Sequence, residues 1–67
     1  MSIGEYIKQQ RKLREWTLED LSSRSGISKS EISRIENDKV DMTLGTLQSI
    51  ALAFDVSAID ILAKSWI

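Results

Sequence analysis

The chain has 67 residues, with nine Lys or Arg, ten Asp or Glu, no Cys and no His. A chain of this length buries only a small core, so we interpret residues 1–67 as a single domain. Without Cys or His, a disulfide framework and a cysteine–histidine zinc site are excluded, and neither metal nor cofactor is expected. The formal net charge of −1 is unusual for a nucleic-acid-binding protein, since such proteins are usually basic.

Apolar residues recur at three- and four-residue steps along the whole chain, which predicts amphipathic helices and an all-α fold. The first helix is predicted over residues 3–14, with Ile3, Tyr6 and Ile7 facing the core. Lys8, Lys12 and Arg14 are predicted to face solvent. Because residues 1–12 contain no apolar run, we expect neither a signal peptide nor a membrane span, and we predict a cytoplasmic location.

Capping residues predict where four further helices begin. Thr17, Ser28 and Ser57 each stand three residues before an acid, so the hydroxyl can cap the helix while the acid reaches back. Thr43 caps a helix without a returning acid. The predicted helices cover residues 18–25, 29–37, 44–54 and 58–65. The predicted core positions of the fourth helix in the chain are Leu44, Leu47, Ile50, Ala51 and Phe54.

The second and third helices are separated by residues 26–28 only. A connection this short needs a positive φ, which Gly26 adopts without steric cost. Ser22 is small enough to let the two helices approach, and Ile32 and Ile35 can bury the third helix against the second. This spacing predicts a helix-turn-helix.

A helical wheel of residues 29–37 shows a polar side without acidic residues, opposite Ile32 and Ile35. Lys29 lies at its flank as the first helical residue, and the rest of this side comprises Ser30, Ser33, Arg34 and Asn37. An arginine on such a side can form two hydrogen bonds with a guanine edge, and a lysine can reach another guanine acceptor. Glu36 lies near the buried side and needs a partner there.

Several of these segments together resemble the phage-repressor and Cro family of bacterial helix-turn-helix regulators. The resemblance is carried by Arg11, Thr17–Ser22, Gly26–Asn37 and Ile50–Val56, and it extends over about residues 3–62. It implies a compact five-helix fold that usually binds a palindromic operator as a dimer to control transcription. We therefore expect sequence-specific binding of double-stranded DNA.

The resemblance also implies roles for individual residues. Base contacts are expected from Lys29, Ser30 and Arg34, with Ser33 beside them. Phosphate contacts are expected from Thr17, Asn37 and Lys39. A structural ion pair is expected between Arg11 and Glu36. The chain departs from the family at Leu18, where a glutamine is usual, at Glu15, and at Asp38, where a glycine is common.

The C-terminal segment has more apolar residues at helical spacing than one face of a short helix needs. Ile59, Leu62 and Trp66 are therefore predicted to form a homodimer interface. In the alternative interpretation, Leu62 and Trp66 close the core of the monomer itself.

Two other functional classes remain open. In the first, the helix-turn-helix binds a protein, as a toxin-neutralising or transcription-machinery module, and the acidic loop over residues 38–41 favours this class. In the second, the chain is an enzyme. The second is disfavoured because Ser22, Ser23, Ser25 and Ser28 have no His or Cys to activate them, so no catalytic residue is predicted.

Overall fold

A hydroxyl residue stands immediately before each helix in the part of the chain that the structure describes. A computed structural model describes residues 1–65, and within that range the backbone forms α-helices and no β-strand. The helices are α1 Ile3–Leu13, α2 Leu18–Ser25, α3 Lys29–Glu36, α4 Leu44–Phe54 and α5 Ala58–Ser65. The predicted five-helix, all-α fold is confirmed, and α1 and α3 each end one residue earlier than predicted.

Side-chain caps explain the helix starts. The hydroxyl oxygen of each preceding residue accepts a hydrogen bond from the backbone N–H three positions later, at Ser2, Thr17, Ser28, Thr43 and Ser57. A reciprocal capping box forms at Thr17 and also at Ser2, where it was not predicted. At Ser28 and Ser57, both within the described range, only the hydroxyl half forms. The prediction that the carboxylates of Glu31 and Asp60 accept from the backbone N–H groups of their capping serines is therefore wrong.

Three helices end at an acidic residue in the left-handed conformation. Glu15, Asp38 and Asp55 have φ values of 58°, 57° and 60° and follow α1, α3 and α4. After α1, the N–H of Glu15 donates to Lys12 O at 2.9 Å and the N–H of Trp16 donates to Arg11 O at 3.1 Å. This is the Schellman arrangement, which satisfies the last carbonyls of a helix.

The core lies among the first four helices. Its main cluster of buried side chains comprises Ile7, Leu21, Ile32, Ile35, Ile50 and Phe54. A second cluster joins α5 to α4 through Ile61, Leu47 and Ala51. Leu44 was predicted to be buried, and that prediction is wrong, since Leu44 is 63% exposed. Leu44 is the first residue of α4, where neighbouring elements cover little of its side chain.

The helices are short, with 11 residues in α1 and α4 and eight in each of the others. Among residues 1–65, no single helix has the length and apolarity needed to cross a bilayer. In the described part of the chain, α4 and α5 counted together meet both criteria, and they do so across a bend of 98°.

Candidate nucleic-acid interface

The helix α3 presents one polar side to solvent. Its opposite side is buried through Ile32 and Ile35. Lys29, Ser30 and Arg34 are exposed, whereas Ser33 is half-buried. The structure therefore brings the four predicted base-contacting residues onto one helix, with Ser33 the least accessible of them.

The turn before α3 depends on Gly26. Its φ is 77° and its N–H donates to Ser22 O at 2.9 Å, so it ends α2 in the left-handed conformation that the short connection required. A Cβ added to Gly26 would meet no atom within 4 Å. Glycine is needed here for its backbone conformation and not for lack of space.

The predicted phosphate-contacting residues flank the two motif helices. Asn37 and Lys39 follow α3 and are both exposed. The Asn37 side-chain amide donates one N–H to Ser33 O at 2.7 Å, which leaves its second N–H available. Thr17 caps α2, and both its N–H and its hydroxyl oxygen are bonded to Asp20, so its hydroxyl hydrogen is the donor that remains.

A buried ion pair fixes the end of α3 against α1. Arg11 Nε donates to Glu36 Oε2 at 2.7 Å, and a second guanidinium nitrogen donates to Glu36 Oε1 at 3.0 Å. A third donates to Trp16 O at 2.7 Å. The hydrogen bond to Glu36 raises the pKa of Arg11 above its ordinary value. This is the pairing that the family resemblance implies, and it supplies the partner that the inward position of Glu36 required.

A second contact between α1 and α3 was not foreseen from the sequence. Ser2 Oγ donates to Asp38 Oδ2 at 2.9 Å. A Cβ added to Gly4 would overlap the carbonyl oxygen of Ile35 and lie 2.6 Å from Asp38 Oδ1. Glycine at position 4 therefore lets the first turn of α1 rest directly on the end of α3. The three-residue spacing of Ser2 and Glu5 could have indicated the cap, but nothing in the sequence indicated the contact with Asp38.

Comparison with known proteins identifies the family. A helix-turn-helix family profile matches residues 7–61. The chain belongs to the phage-repressor type of helix-turn-helix proteins. The immunity repressor protein of Bacillus phage phi105 is 38% identical to it over 61 residues, which make up 88% of this chain and 42% of that repressor.

A solved structure shows the same helix-turn-helix fold. One chain of the SinR protein/SinI protein complex superimposes with a TM-score of 0.86 at 31% sequence identity. The match covers 96% of the chain described here and 63% of the SinR/SinI chain. The chain therefore spans less than two thirds of the length of either relative.

Three of the four arginines in this helix-turn-helix domain are held by other parts of the protein. Arg11 is in the ion pair. The guanidinium carbon of Arg24 lies 4.4 Å from the Trp16 ring centroid, and that of Arg14 lies 4.6 Å from the Phe54 ring centroid. Within residues 1–65, Arg34 is the arginine whose guanidinium has neither a hydrogen bond, an ion pair nor an aromatic partner.

The predicted dimer residues lie beside further exposed leucines. Ile59 is 74% exposed and lines a groove with Leu52, which is 79% exposed. Leu62 is 41% exposed and lines a different groove with Leu44. Trp66 lies outside the described residues. We call Leu44, Leu52, Ile59 and Leu62 the α4–α5 apolar surface. The sequence prediction contained its α5 members but missed the two on α4.

Proposed function

We propose that this protein is a transcriptional regulator that binds double-stranded DNA sequence-specifically by placing α3 in the major groove. The observation that carries the proposal is the exposed, acid-free side of α3, on which the Arg34 guanidinium has no partner among residues 1–65. An eight-residue helix is about 12 Å long, and a helix with its side chains fits the major groove, which is about 12 Å wide. The family and the phage immunity repressor support the same function.

The side chains of α3 have distinct roles in this proposal. Arg34 makes a bidentate contact with guanine O6 and N7, and Lys29 reaches a second guanine acceptor. Ser30 and Ser33 are small, so they let α3 approach the bases closely or contact neighbouring bases themselves. Thr17, Asn37 and Lys39 bind phosphates, which positions α3 but carries no direct sequence information. A bacterial or phage regulator acts on DNA in the cytoplasm, so we propose a cytoplasmic location.

The proposal is tested by selecting bound sequences from a random duplex pool and then measuring affinities of variants. Arg34→Ala should weaken binding to the selected duplex by about 1–3 kcal/mol and blur its sequence preference. Lys39→Ala should weaken binding to all duplexes by a similar amount. Lys64→Ala, on α5, is the control and should bind as the unaltered protein does. If Arg34→Ala and Lys39→Ala cause equal, sequence-independent losses, the assigned roles are wrong.

We also propose that two copies pair through the α4–α5 apolar surface. The supporting observation is that four large apolar side chains on two adjoining helices are left exposed. Two paired copies would present their α3 helices to half-sites about 34 Å apart, one turn of DNA. The selected DNA sequences should then be palindromic.

Sedimentation measurements test the dimer. Ile59→Gln should shift the protein towards monomer, because a polar amide would replace an apolar contact between the copies. Leu13→Gln is the matched control, since Leu13 is an exposed leucine of α1 outside the α4–α5 apolar surface. Unaltered protein that is monomeric at high micromolar concentration contradicts the proposed dimer.

A second candidate function is binding to another protein, such as a toxin or a component of the transcription machinery. Two observations support it: Asp38 and Asp41 are exposed on either side of Lys39, and the structural relative was solved as a complex of two proteins. A random duplex pool from which no sequence is enriched would favour this candidate over DNA binding.

A further inference from the structure

An open groove of about 670 Å³ runs between α1 and the end of α3. Lys8 and Lys12 line its α1 side, and Asn37 lies on its opposite side. Asn37 is one of the residues that we propose to contact a DNA phosphate. The groove therefore continues the proposed DNA surface from α3 onto α1, a helix for which the sequence predicted no DNA contact.

The carboxylates in this groove each have a partner within the protein. Glu36 is paired with Arg11. Glu5 Oε1 accepts from the N–H of Ser2 at 2.9 Å, and Asp38 Oδ2 accepts from Ser2 Oγ at 2.9 Å. The hydrogen bond from the Ser2 N–H holds the pKa of Glu5 below its usual range, so Glu5 stays ionised and bonded to the N-cap residue of α1. Two of the three acids are thus held at the amino end of α1.

The two lysines, in contrast, have no anionic partner. Neither Lys8 nor Lys12 forms an ion pair with a carboxylate anywhere in residues 1–65. They lie four residues apart on α1, about 6 Å along the helix axis, so both ammonium groups project from the same side of α1. Two neighbouring positive charges beside a phosphate-binding residue are suited to a polyanion that extends past it.

We propose that Lys8 and Lys12 bind the sugar–phosphate backbone of the same DNA that α3 enters. This inference rests on the proposed function, because α3 must first place the DNA alongside Asn37. The lysines add affinity without contacting bases. They also help to explain how a protein of net charge −1 can bind DNA, since neither lysine is engaged in an ion pair and both lie on the proposed DNA-facing side.

The test measures how DNA affinity depends on salt, using the duplex selected from the random pool. Each phosphate contact contributes about 0.9 to the slope of log K against log salt concentration. Lys8→Gln and Lys12→Gln should each reduce the slope by about 0.9 per bound protomer, and the double variant by about 1.8. Lys64→Gln is the matched control on α5 and should leave the slope unchanged. Far-UV circular dichroism verifies that each variant is folded.

The outcomes separate this inference from the proposed function. Smaller slopes with an unchanged sequence preference support phosphate binding by α1. An unchanged slope in the double variant, while the unaltered protein still binds sequence-specifically, overturns this inference alone. A double variant with altered base preference also overturns it, since phosphate contacts carry no base information. Failure of the unaltered protein to bind any duplex overturns both proposals.

Discussion

Glu15, Asp38 and Asp55 occupy the left-handed conformation that glycine adopts most readily. A residue with a Cβ loses about 1–2 kcal/mol in this conformation. A negative charge at a helix carboxyl end also faces the negative end of the helix dipole. Asp38 is partly compensated by the hydrogen bond from Ser2. Within residues 1–65 the side chains of Glu15 and Asp55 both lack a hydrogen bond. Asp tolerates the left-handed conformation better than Glu does, so Glu15 is the clearest case of local strain.

Replacing Glu15 by glycine should therefore stabilise the protein. We expect Glu15→Gly to raise the free energy of unfolding by about 0.5–1 kcal/mol, because relief of strain exceeds the extra chain entropy of glycine in the unfolded state. Urea unfolding followed by circular dichroism measures the change. Glu15→Ala is the control, since it removes the charge but keeps the Cβ. An equal gain in both variants would show that charge, not backbone conformation, is responsible.

At the scale of elements, the position of α3 depends on α1. The Arg11–Glu36 pair, the contact of Ser2 with Asp38 and the close approach at Gly4 all join these two helices near the end of α3. The side chains proposed to contact bases are on α3, so their orientation depends in part on residues that are not themselves proposed to contact bases.

Breaking the ion pair should destabilise the whole domain. Arg11→Met leaves the Glu36 carboxylate buried without a charged partner, and we expect a loss of about 3 kcal/mol in the free energy of unfolding. The double variant Arg11→Met/Glu36→Met removes both charges. Its free energy of unfolding should therefore decrease less than that of the single variant. Urea unfolding measures both. A double variant less stable than Arg11→Met would contradict this account.

Local signals in the sequence were sufficient to predict the elements. Hydroxyl caps located the starts of α2 to α5, and helical periodicity placed Lys29, Ser30 and Arg34 on the exposed side of α3. The contacts between elements could not be predicted in the same way. Ser2 and Asp38 are 36 residues apart, and the groove that joins Lys8 and Lys12 to Asn37 exists only once α1 packs on α3. Leu44 fits the apolar periodicity, but the first turn of α4 lies beyond the core at that position, and Leu44 is exposed.

For the molecule as a whole, stability should fall in acid because two capping boxes depend on ionised carboxylates. Hydrogen bonds from the backbone N–H of Ser2 to Glu5 and from the backbone N–H of Thr17 to Asp20 lower the pKa of both acids. A carboxylate whose pKa is lower in the folded protein stabilises it above the unfolded pKa. That contribution disappears as the pH falls through the folded pKa, below about pH 5.

The double variant Glu5→Gln/Asp20→Asn tests this dependence. Its stability should decrease less between pH 7 and pH 3 than that of the unaltered protein, since the amides do not titrate. Urea unfolding at the two pH values measures the difference. If the stability of the two proteins decreased equally, groups other than Glu5 and Asp20 would be responsible for the acid sensitivity.

The acidic helix ends also affect how the protein can evolve. Every Asp or Glu codon becomes a glycine codon when its second base changes from A to G. Each of the three strained ends is therefore a single nucleotide away from a relaxed form. Mutations on the proposed DNA-contacting side of α3 that weaken folding can be offset by one such change elsewhere in the gene. Stability lost through changes on α3 can thus be regained at a helix end, despite the thin core.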